Sequence, residues 1–346
     1  MKKQIKSFGL ALGAIIVTGF MVPGSFAADN GEVNVYSARK EALILPILER
    51  FENERKIKVN LVTGKADALL KRIQVEGDAT PADIFITVDA GRLHRAKHAE
   101  VFQPLQSDAI NQAVPENLRD PDGYWSALSM RARPIMYAPD RVDASKLSTY
   151  EALTDPHWKG RICIRSSGNI YNQSLVSSMI EAIGEEETEK WATAFVMNFA
   201  RPPSGGDTDQ LKAAASGLCD LAIANTYYFG RLSASDNPEN REFASHLKIF
   251  WPNQADRGTH INVSGAGIIK HSKNMDNAKA LVEFLLEPES QQWYASINHE
   301  YPVVPGTKVS EILQSFGEFK SDDLNLSVLG VNNRTAVEVM DRAGWQ

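Results

Sequence analysis

The chain has 346 residues, of which 43% are hydrophobic, and its formal net charge is −6. This composition is that of an ordinary globular protein, and the length is sufficient for two domains. An acidic chain is poorly suited to binding nucleic acid or an anionic membrane surface, so we expect neither kind of partner.

The first 27 residues have the pattern of a secretory signal peptide. Three lysines within the first six residues form a basic start, residues 8–22 form an apolar core, and Ser25-Phe26-Ala27 is a small-x-small cleavage site. We predict cleavage near Ala27 and export; an uncleaved membrane anchor is the alternative. Loss of the three lysines takes the formal charge from −6 to −9.

Strands and helices alternate directly after this leader. Apolar runs predict strands over residues 31–37, 57–62 and 83–88, and apolar positions at helical spacing predict helices over residues 43–51 and 66–75. Alternation of this kind is typical of βαβ units, so we expect an α/β protein with a parallel sheet.

The second part of the chain continues this pattern and then becomes mostly helical. A loop-rich stretch covers residues 104–123, and strand-like runs follow at residues 124–128, 133–137 and 261–269. For residues 243–251 the pattern predicts a strand or mixed structure. Helices are predicted near the carboxyl end over residues 277–286, 290–297 and 334–340.

The two cysteines, Cys163 and Cys219, each lie in a strand-like run, eight residues before Tyr171 and Tyr227 respectively. Exported proteins meet an oxidising compartment, in which disulfides form and persist. We therefore predict a Cys163–Cys219 disulfide that joins the two tyrosine-bearing strands. Two buried free thiols are the alternative.

Two adjacent tyrosines, Tyr227 and Tyr228, follow the apolar run at residues 221–223. Neighbouring side chains of an extended strand point to opposite faces, but at a turn or in the first turn of a helix they can lie side by side. Two phenol oxygens would suit a hard, highly charged cation. The alternative is that one ring packs in the core and the other lies on the surface.

Three polar turns at predicted strand ends, at residues 37–41, 166–172 and 225–231, come from both halves of the chain. We expect them to converge on one cleft between two lobes, with Arg131 and Arg133 where the chain crosses. The sequence has no nucleophile elbow, zinc-protease motif or phosphate loop, which argues against an enzyme.

Four motifs together resemble the bacterial ferric-iron-binding periplasmic proteins, the solute receptors of iron ABC importers. The resemblance covers essentially the whole mature chain. The motifs are Val35-Tyr36-Ser37-Ala38-Arg39, Thr80-Pro81-Ala82-Asp83-Ile84, Arg165-Ser166-Ser167-Gly168-Asn169-Ile170-Tyr171-Asn172 and Asn225-Thr226-Tyr227-Tyr228-x-Gly230-Arg231.

The resemblance implies an α/β, two-lobed periplasmic solute-binding protein fold of type II (a Venus flytrap) with two crossover strands. We assign residues 28–129 and 260–300 to an N-terminal lobe and residues 130–259 to a C-terminal lobe. Residues 301–346 are expected to form a helical segment that packs across both. The implied protein is a periplasmic monomer that works with an inner-membrane ABC permease.

The resemblance also implies a metal site, in which Tyr171, Tyr227 and Tyr228 bind Fe(III) while Arg131 and Arg231 balance charge or hold an anion. Three phenolates would neutralise Fe(III). Two alternative hypotheses remain: a receptor of the same fold for a small oxyanion or organic solute, and a secreted enzyme that uses a tyrosine as acid or base.

One position departs from the family. Many relatives have His-Tyr after the first motif, where this chain has Lys40-Glu41. We expect a synergistic carbonate or bicarbonate, held by Arg131 and Arg39, to complete the coordination, because a guanidinium suits a planar oxyanion. Direct ligation by Glu41, and water or a small chelator, are the alternatives.

Overall fold

A computed structural model of the protein describes Met1 and residues 31–346. The predicted signal peptide and its cleavage site near Ala27 lie outside the described residues. Within the described part of the chain, no helix is long and apolar enough to cross a membrane.

Strands and helices alternate along this part of the chain, in short elements. The strands are β1 (Glu32–Ser37), β2 (Lys58–Thr63), β3 (Ile84–Val88), β4 (Phe102–Gln103), β5 (Ser126–Ala132), β6 (Ile135–Tyr137), β7 (Ile162–Cys163), β8 (Leu221–Ile223), β9 (Lys248–Phe250) and β10 (Ile261–Ile269). The helices are α1 (Leu45–Arg55), α2 (Ala66–Glu76), α3 (Ala90–His98), α4 (Asp108–Ala113), α5 (Ile170–Ile183), α6 (Glu185–Val196), α7 (Asp207–Ala215), α8 (Thr226–Ser233), α9 (Pro238–Ser245), α10 (Met275–Leu285), α11 (Pro288–Trp293), α12 (Glu311–Ser315), α13 (Val328–Val331) and α14 (Asn333–Arg342).

The strands form two sheets. The first has the order β2-β1-β3-β10-β4, with β5 also paired to β10, and its β1–β2 and β1–β3 pairs are parallel. The second has the order β7-β8-β6-β9, in which β7 and β8 are parallel. Because β10 is antiparallel to both β3 and β5, it is the returning strand that the sequence predicted.

The chain crosses between the sheets twice. It leaves the first sheet after Ala132 and enters the second at Ile135, and it returns between Phe250 and Ile261. The lobe boundaries assigned from the sequence, after residues 129 and 259, remain predictions.

Each sheet has its own hydrophobic core. One buried cluster surrounds the first sheet, with Val35, Ile86 and Val263 among its members. The strands of the second sheet alternate between two clusters. Leu221 and Ile223 face one cluster, and Ala222 faces the other, because successive side chains of a strand point to opposite faces.

The carboxyl-terminal segment contacts both halves. The short helix α13 packs against α3 and also against α5, and α14 packs against α5 and α6. The approach to α3 is close: a Cβ added to Gly330 would lie 2.2 Å from the Cβ of His94. Glycine therefore lets the backbone of α13 rest directly on a side chain of α3.

The predicted disulfide is confirmed. Cys163 at the end of β7 is bonded to Cys219, two residues before β8, with an S–S distance of 2.03 Å. The bond joins the segments of two parallel strands whose following turns carry Tyr171 and Tyr227.

Two segments differ from the sequence predictions. Residues 243–251 are divided between α9 and β9, because α9 already begins at Pro238, where Asn237 Oδ1 accepts a hydrogen bond from the Glu239 amide. The helix predicted over residues 290–297 ends at Trp293 and continues as a π-helical turn, Tyr294–Asn298. This wider turn ends at His299, whose φ is 54°, and Glu300 follows it.

Candidate metal centre

A cavity of about 360 Å³ lies between the two sheets. Residues from the carboxyl ends of β1 and β3 and the starts of α2 and α3 form one side, and residues of α5 and α8 form the other. The lining consists of Ala38, Arg39, Lys40, Leu43, Lys65, Ala66, Asp67, Val88, Arg92, Tyr171, Tyr227, Tyr228, Arg231 and Glu300.

The three predicted tyrosines meet in this cavity. The hydroxyl of Tyr227 donates to the hydroxyl of Tyr171, with the two oxygens 3.2 Å apart. The rings of Tyr227 and Tyr228 lie side by side, with centroids 4.3 Å apart. The structure therefore brings together phenols that are separated by 56 residues in the sequence.

Two helix N-termini carry these phenols. Tyr171 is the second residue of α5, where Asn169 caps the helix by accepting a hydrogen bond from the Tyr171 amide at 3.2 Å. Tyr227 and Tyr228 are the second and third residues of α8. The first turn of a helix has a partial positive charge, which favours an anionic oxygen nearby.

Without a cation Tyr227 and Tyr228 stay protonated at neutral pH. Burial, followed by the neighbouring Tyr171 and Tyr228, raises the pKa of Tyr227 well above its usual value. Burial, followed by Tyr171 and Asp207, raises the pKa of Tyr228 to about 12. Like-charge repulsion between close phenolates makes the set hard to ionise until a strongly charged ion compensates it.

A buried carboxylate, which the sequence analysis missed, lies beside the tyrosines. Glu300 Oε1 is 2.9 Å from Arg131 Nη2, and its Oε2 is 3.1 Å from Arg39 Nη2. Both arginines also donate to the hydroxyl of Ser264. The two guanidinium groups predicted to hold an anion therefore already share one protein carboxylate.

The pKa of Glu300 is lowered to about 2 although the group is buried. Burial alone raises it, but the charges of Arg39 and Arg131, with hydrogen bonds from Ser129 and Arg131, outweigh that effect. Glu300 is therefore ionised at neutral pH, and together with the two arginines it leaves one net positive charge.

Arg131 keeps unused hydrogen-bond donors. Its side chain is 1% exposed, and its Nε and Nη1 have no hydrogen-bond partner among the described residues. The centre of its guanidinium group lies 5.6 Å from the centroid of the Tyr227 ring. Arg131 can therefore donate to an anion beside the tyrosines without giving up Glu300.

The remaining predicted residues are divided between the cavity and the surface. Arg231 lines the cavity, and the centre of its guanidinium group is 4.9 Å from the centroid of the Tyr227 ring. Glu41 begins a 3-10 turn and is exposed, and it is not among the residues that line the cavity. Its neighbour Lys40 does line the cavity.

Two more cations, Lys65 and Arg92, face the cavity from the first sheet's side, and no motif in the sequence pointed to them. Among the residues described, no ion-pair partner is present for either one. Asp67 also lines the cavity, but Arg95 pairs with it at 2.7 Å. The wall opposite the tyrosines is therefore positively charged.

The protein can be placed in a family. Residues 79–315 match the family model described as bacterial extracellular solute-binding protein. The chain belongs to this family of solute-binding proteins. The two-lobed α/β fold predicted from the sequence is confirmed, and so is the prediction that the protein is not an enzyme.

Several relatives of this solute-binding protein have names that refer to iron. Iron uptake protein A1 of Synechocystis is 49% identical over 91% of this chain and 88% of its own length. Among solved structures, FutA of Trichodesmium, in complex with iron and citrate ligands, has a TM-score of 0.89 and 47% identity. That match covers 91% of this chain and all of the other.

A third similar protein is the ferric binding protein from Campylobacter jejuni, with a TM-score of 0.86 and 39% identity. The match covers 91% of the solute-binding protein described here and 100% of the Campylobacter chain. These likenesses extend over both sheets, so they bear on the whole of the described chain.

Proposed function

We propose that this protein is a periplasmic receptor that captures Fe(III) through the phenolate oxygens of Tyr171, Tyr227 and Tyr228 and delivers it to an ABC importer. The observation that carries the proposal is the convergence of the three tyrosines in one cavity at the first turns of two helices. The iron-related names of its relatives support the same cargo.

Charge explains why a trivalent ion is favoured. The raised pKa values of Tyr227 and Tyr228 mean that the cation must displace phenolic protons at neutral pH. A strongly charged hard ion can do so, because a bound metal stabilises the ionised ligand. Three phenolates then neutralise Fe(III), whereas with a divalent ion one negative charge would remain in a partly buried cavity.

An anion is the proposed remaining ligand. Next to Tyr227, Arg131 has buried donors that find no partner in the described part of the chain, and these donors suit a planar oxyanion such as carbonate. The cavity of about 360 Å³ would also accept a polycarboxylate, whose free carboxylates could meet Lys65 and Arg92. The Trichodesmium relative carries iron and citrate. We leave the exposed Glu41 outside the ligand set.

The test begins with the visible spectrum and the metal content of protein loaded with Fe(III) in the presence of bicarbonate, of citrate, or of neither. We expect a phenolate–Fe(III) charge-transfer band and one iron per chain. Omission of both anions should weaken binding. A colourless, iron-free protein would overturn the proposal and point to an organic-solute receptor instead.

Tyr227→Phe and Tyr228→Phe separate ligation from packing, since each variant loses one oxygen and keeps its ring. Each should lose more affinity than the ~10–100-fold typical of a supporting residue and should shift or bleach the band. Glu41→Gln and Tyr137→Phe are the controls and should behave as wild type. If instead Glu41→Gln alone changes the band and bicarbonate has no effect, Glu41 is the ligand.

Location and partner follow from the same proposal. The leader would be removed near Ala27, the mature monomer would work in the periplasm, and an inner-membrane permease would receive the iron. A relative from Serratia marcescens named as an Fe(3+)-binding periplasmic protein supports this location. Mass spectrometry of the exported protein tests the cleavage site.

A further inference from the structure

Arg133 lies at the first crossing between the sheets, directly after β5. Its side chain is 1% exposed. Its amide donates to the carbonyl of His260 at 3.0 Å, and its carbonyl accepts from the hydroxyl of Tyr150 at 2.8 Å. The backbone of Arg133 is therefore held on both sides, by His260 of the returning crossing and by Tyr150.

The guanidinium group binds three side chains at once. Nη1 donates to Asp207 Oδ1 at 2.8 Å and to Asn225 Oδ1 at 2.9 Å, and Nη2 donates to Asn172 Oδ1 at 2.7 Å. All four residues are buried. These short contacts with oxygen acceptors use the two outer nitrogens of Arg133 as a fork.

Each acceptor belongs to the start of a different helix. Asn172 is the third residue of α5, Asp207 is the first residue of α7, and Asn225 is the residue just before α8. Two of them are close in sequence to the proposed iron ligands, since Asn172 follows Tyr171 and Asn225 precedes Tyr227 by two residues.

We propose that Arg133 is a positioning residue that sets the spacing of the three tyrosines by tying the first turns of α5 and α8 to one rigid guanidinium fork. The inference rests on the proposed iron-binding function. It assigns Arg133 no contact with the metal: the residue acts through Asn172 and Asn225.

Charge attraction alone does not explain why Arg133 lies among these three helix starts. The positive ends of three helices converge on a positive side chain, which by itself is unfavourable. Asp207 offsets part of this positive charge with its carboxylate, which Arg133 shares with Arg165, since Asp207 Oδ2 accepts from Arg165 Nη1 at 2.8 Å. Apolar residues would fill such a buried volume without a desolvation cost, but they would not fix direction as a planar fork does.

The second arginine extends the fork to the ring of Tyr171. The centre of the Arg165 guanidinium group lies 5.8 Å from the centroid of that ring. The Arg165 carbonyl accepts from Asn172 Nδ2 at 2.8 Å. Asn172 is thus held through both ends of its amide, which leaves the turn that begins at Tyr171 little freedom to move away from Tyr227.

Arg133→Lys is the main test, because lysine keeps the charge that Asp207 needs and loses the planar fork. We expect the Fe(III) affinity to fall about 10–100-fold, as is typical when a residue that orients a metal ligand is lost. The charge-transfer band should shift, since the phenolate geometry changes. Asn225→Ala removes one arm of the fork together with the hydrogen bond that Asn225 Nδ2 donates to the Tyr227 hydroxyl at 3.5 Å, and it should shift the band in the same direction.

Leu175→Ala is the matched control. Leu175 lies on α5 in the core of the second sheet and is fully buried, so its truncation should lower stability. It removes none of the hydrogen bonds that Arg133 donates to Asp207, Asn225 and Asn172. We expect this variant to melt at a lower temperature and to keep the wild-type band and affinity. A band shift in Arg133→Lys that Leu175→Ala does not reproduce separates positioning from general loosening.

Two outcomes are decisive. If Arg133→Lys and Asn225→Ala both keep the wild-type band and affinity, the positioning role is wrong while the iron proposal stands. If the wild type measured in parallel shows neither iron nor band, the iron proposal itself fails. Should Arg133→Lys not fold, Asn172→Ala decides in its place, because it removes another arm of the fork and leaves the Arg133–Asp207 ion pair intact.

Discussion

At the scale of single residues, Glu300 is the buried carboxylate that pairs with two buried arginines at the cavity. It forms ion pairs with Arg39, which follows β1, and with Arg131 in β5. It also accepts a hydrogen bond from Ser129 at 2.5 Å. Removing one member of a buried ion pair leaves an uncompensated charge, which is more damaging than losing a surface pair.

We predict that Glu300→Gln lowers the free energy of unfolding of the iron-free protein by about 3–5 kcal/mol at pH 7. Because the folded pKa of about 2 is depressed, the wild-type stabilisation is present above the unfolded pKa of ~4.3 and is lost as the pH falls through 2. In Glu300→Gln, the free energy of unfolding should therefore lack the part of its decrease at acid pH that comes from protonation of Glu300.

Denaturant unfolding at pH 7 and between pH 4.5 and about 2 measures both effects. Glu338→Gln is the control, since Glu338 forms an exposed pair with Arg334 and should change stability by less than ~1 kcal/mol. If Glu300→Gln and Glu338→Gln lowered the free energy of unfolding at pH 7 by the same amount, the stabilising role assigned to Glu300 would be wrong.

The tyrosine protons give a second prediction at this scale. At pH 7 Tyr227 and Tyr228 should start protonated, so loading Fe(III) should release about two protons per iron from these residues. Acid should reverse the process and release iron. The raised pKa values of Tyr227 and Tyr228 are the reason that the protons are still present before loading.

A pH-stat titration with a ferric chelate measures this release. The Tyr227→Phe/Tyr228→Phe double variant supplies the correction for protons that the chelator itself exchanges. Net release below one proton per iron, with iron bound, would mean that the phenols are not the ligands.

At the scale of elements, the site depends on the first turns of α5 and α8 and on the strands that lead to them. The strand β8 is paired with β7 in parallel, and the disulfide Cys163–Cys219 links the same two segments covalently. The cross-link therefore acts on the lobe's framework rather than on the phenol oxygens.

We predict that breaking this disulfide costs about 4 kcal/mol of stability and changes the iron spectrum little. The sequence separation is 56 residues, and a closed loop of that size removes about this much unfolded-state entropy in the chain-entropy model. Urea unfolding of the Cys163→Ala/Cys219→Ala double variant against wild type measures the loss. A bleached band without a loss of stability would place the disulfide's role in the metal site instead.

At the scale of the whole molecule, the cavity is built from two sides that carry complementary groups. The phenols come from the second sheet's helices, whereas Arg39, Lys65 and Arg92 come from the first sheet's side. One buried contact already joins the sides: Ser174 of α5 donates to Asp89, which also accepts from Asn262 at 2.8 Å.

We predict that Fe(III) loading brings the two lobes closer together. Only a ligand that interacts more strongly with the closed state can shift the equilibrium towards it, and an iron–anion complex would contact both sides. Small-angle scattering should give a smaller radius of gyration with iron than without. The Tyr227→Phe/Tyr228→Phe variant should show no change, and an unchanged wild type would rule out closure but not binding.

Much of this architecture was predictable from the sequence because it depends on local patterns. The alternation of apolar runs predicted the α/β fold, and the polar turn after Ile223 predicted where Tyr227 and Tyr228 would lie. The export signal and two strand-borne cysteines predicted the disulfide, which the structure contains. The exact ends of elements were less accurate, as at α9, where an Asn-Pro helix start outweighed the strand-like residues after it.

The surroundings of the tyrosines were decided only by tertiary structure. Glu300 is 169 residues from Arg131, and Asn225 is 92 residues from Arg133, so no spacing in the sequence reports either contact. Buried ion pairs and hydrogen-bond forks depend on which side chains the packed sheets bring within about 3 Å, and such contacts leave no periodic signal in the chain. The sequence by itself determined which tyrosines we propose as ligands of a hard cation; the packing of the two sheets determined which charges surround them.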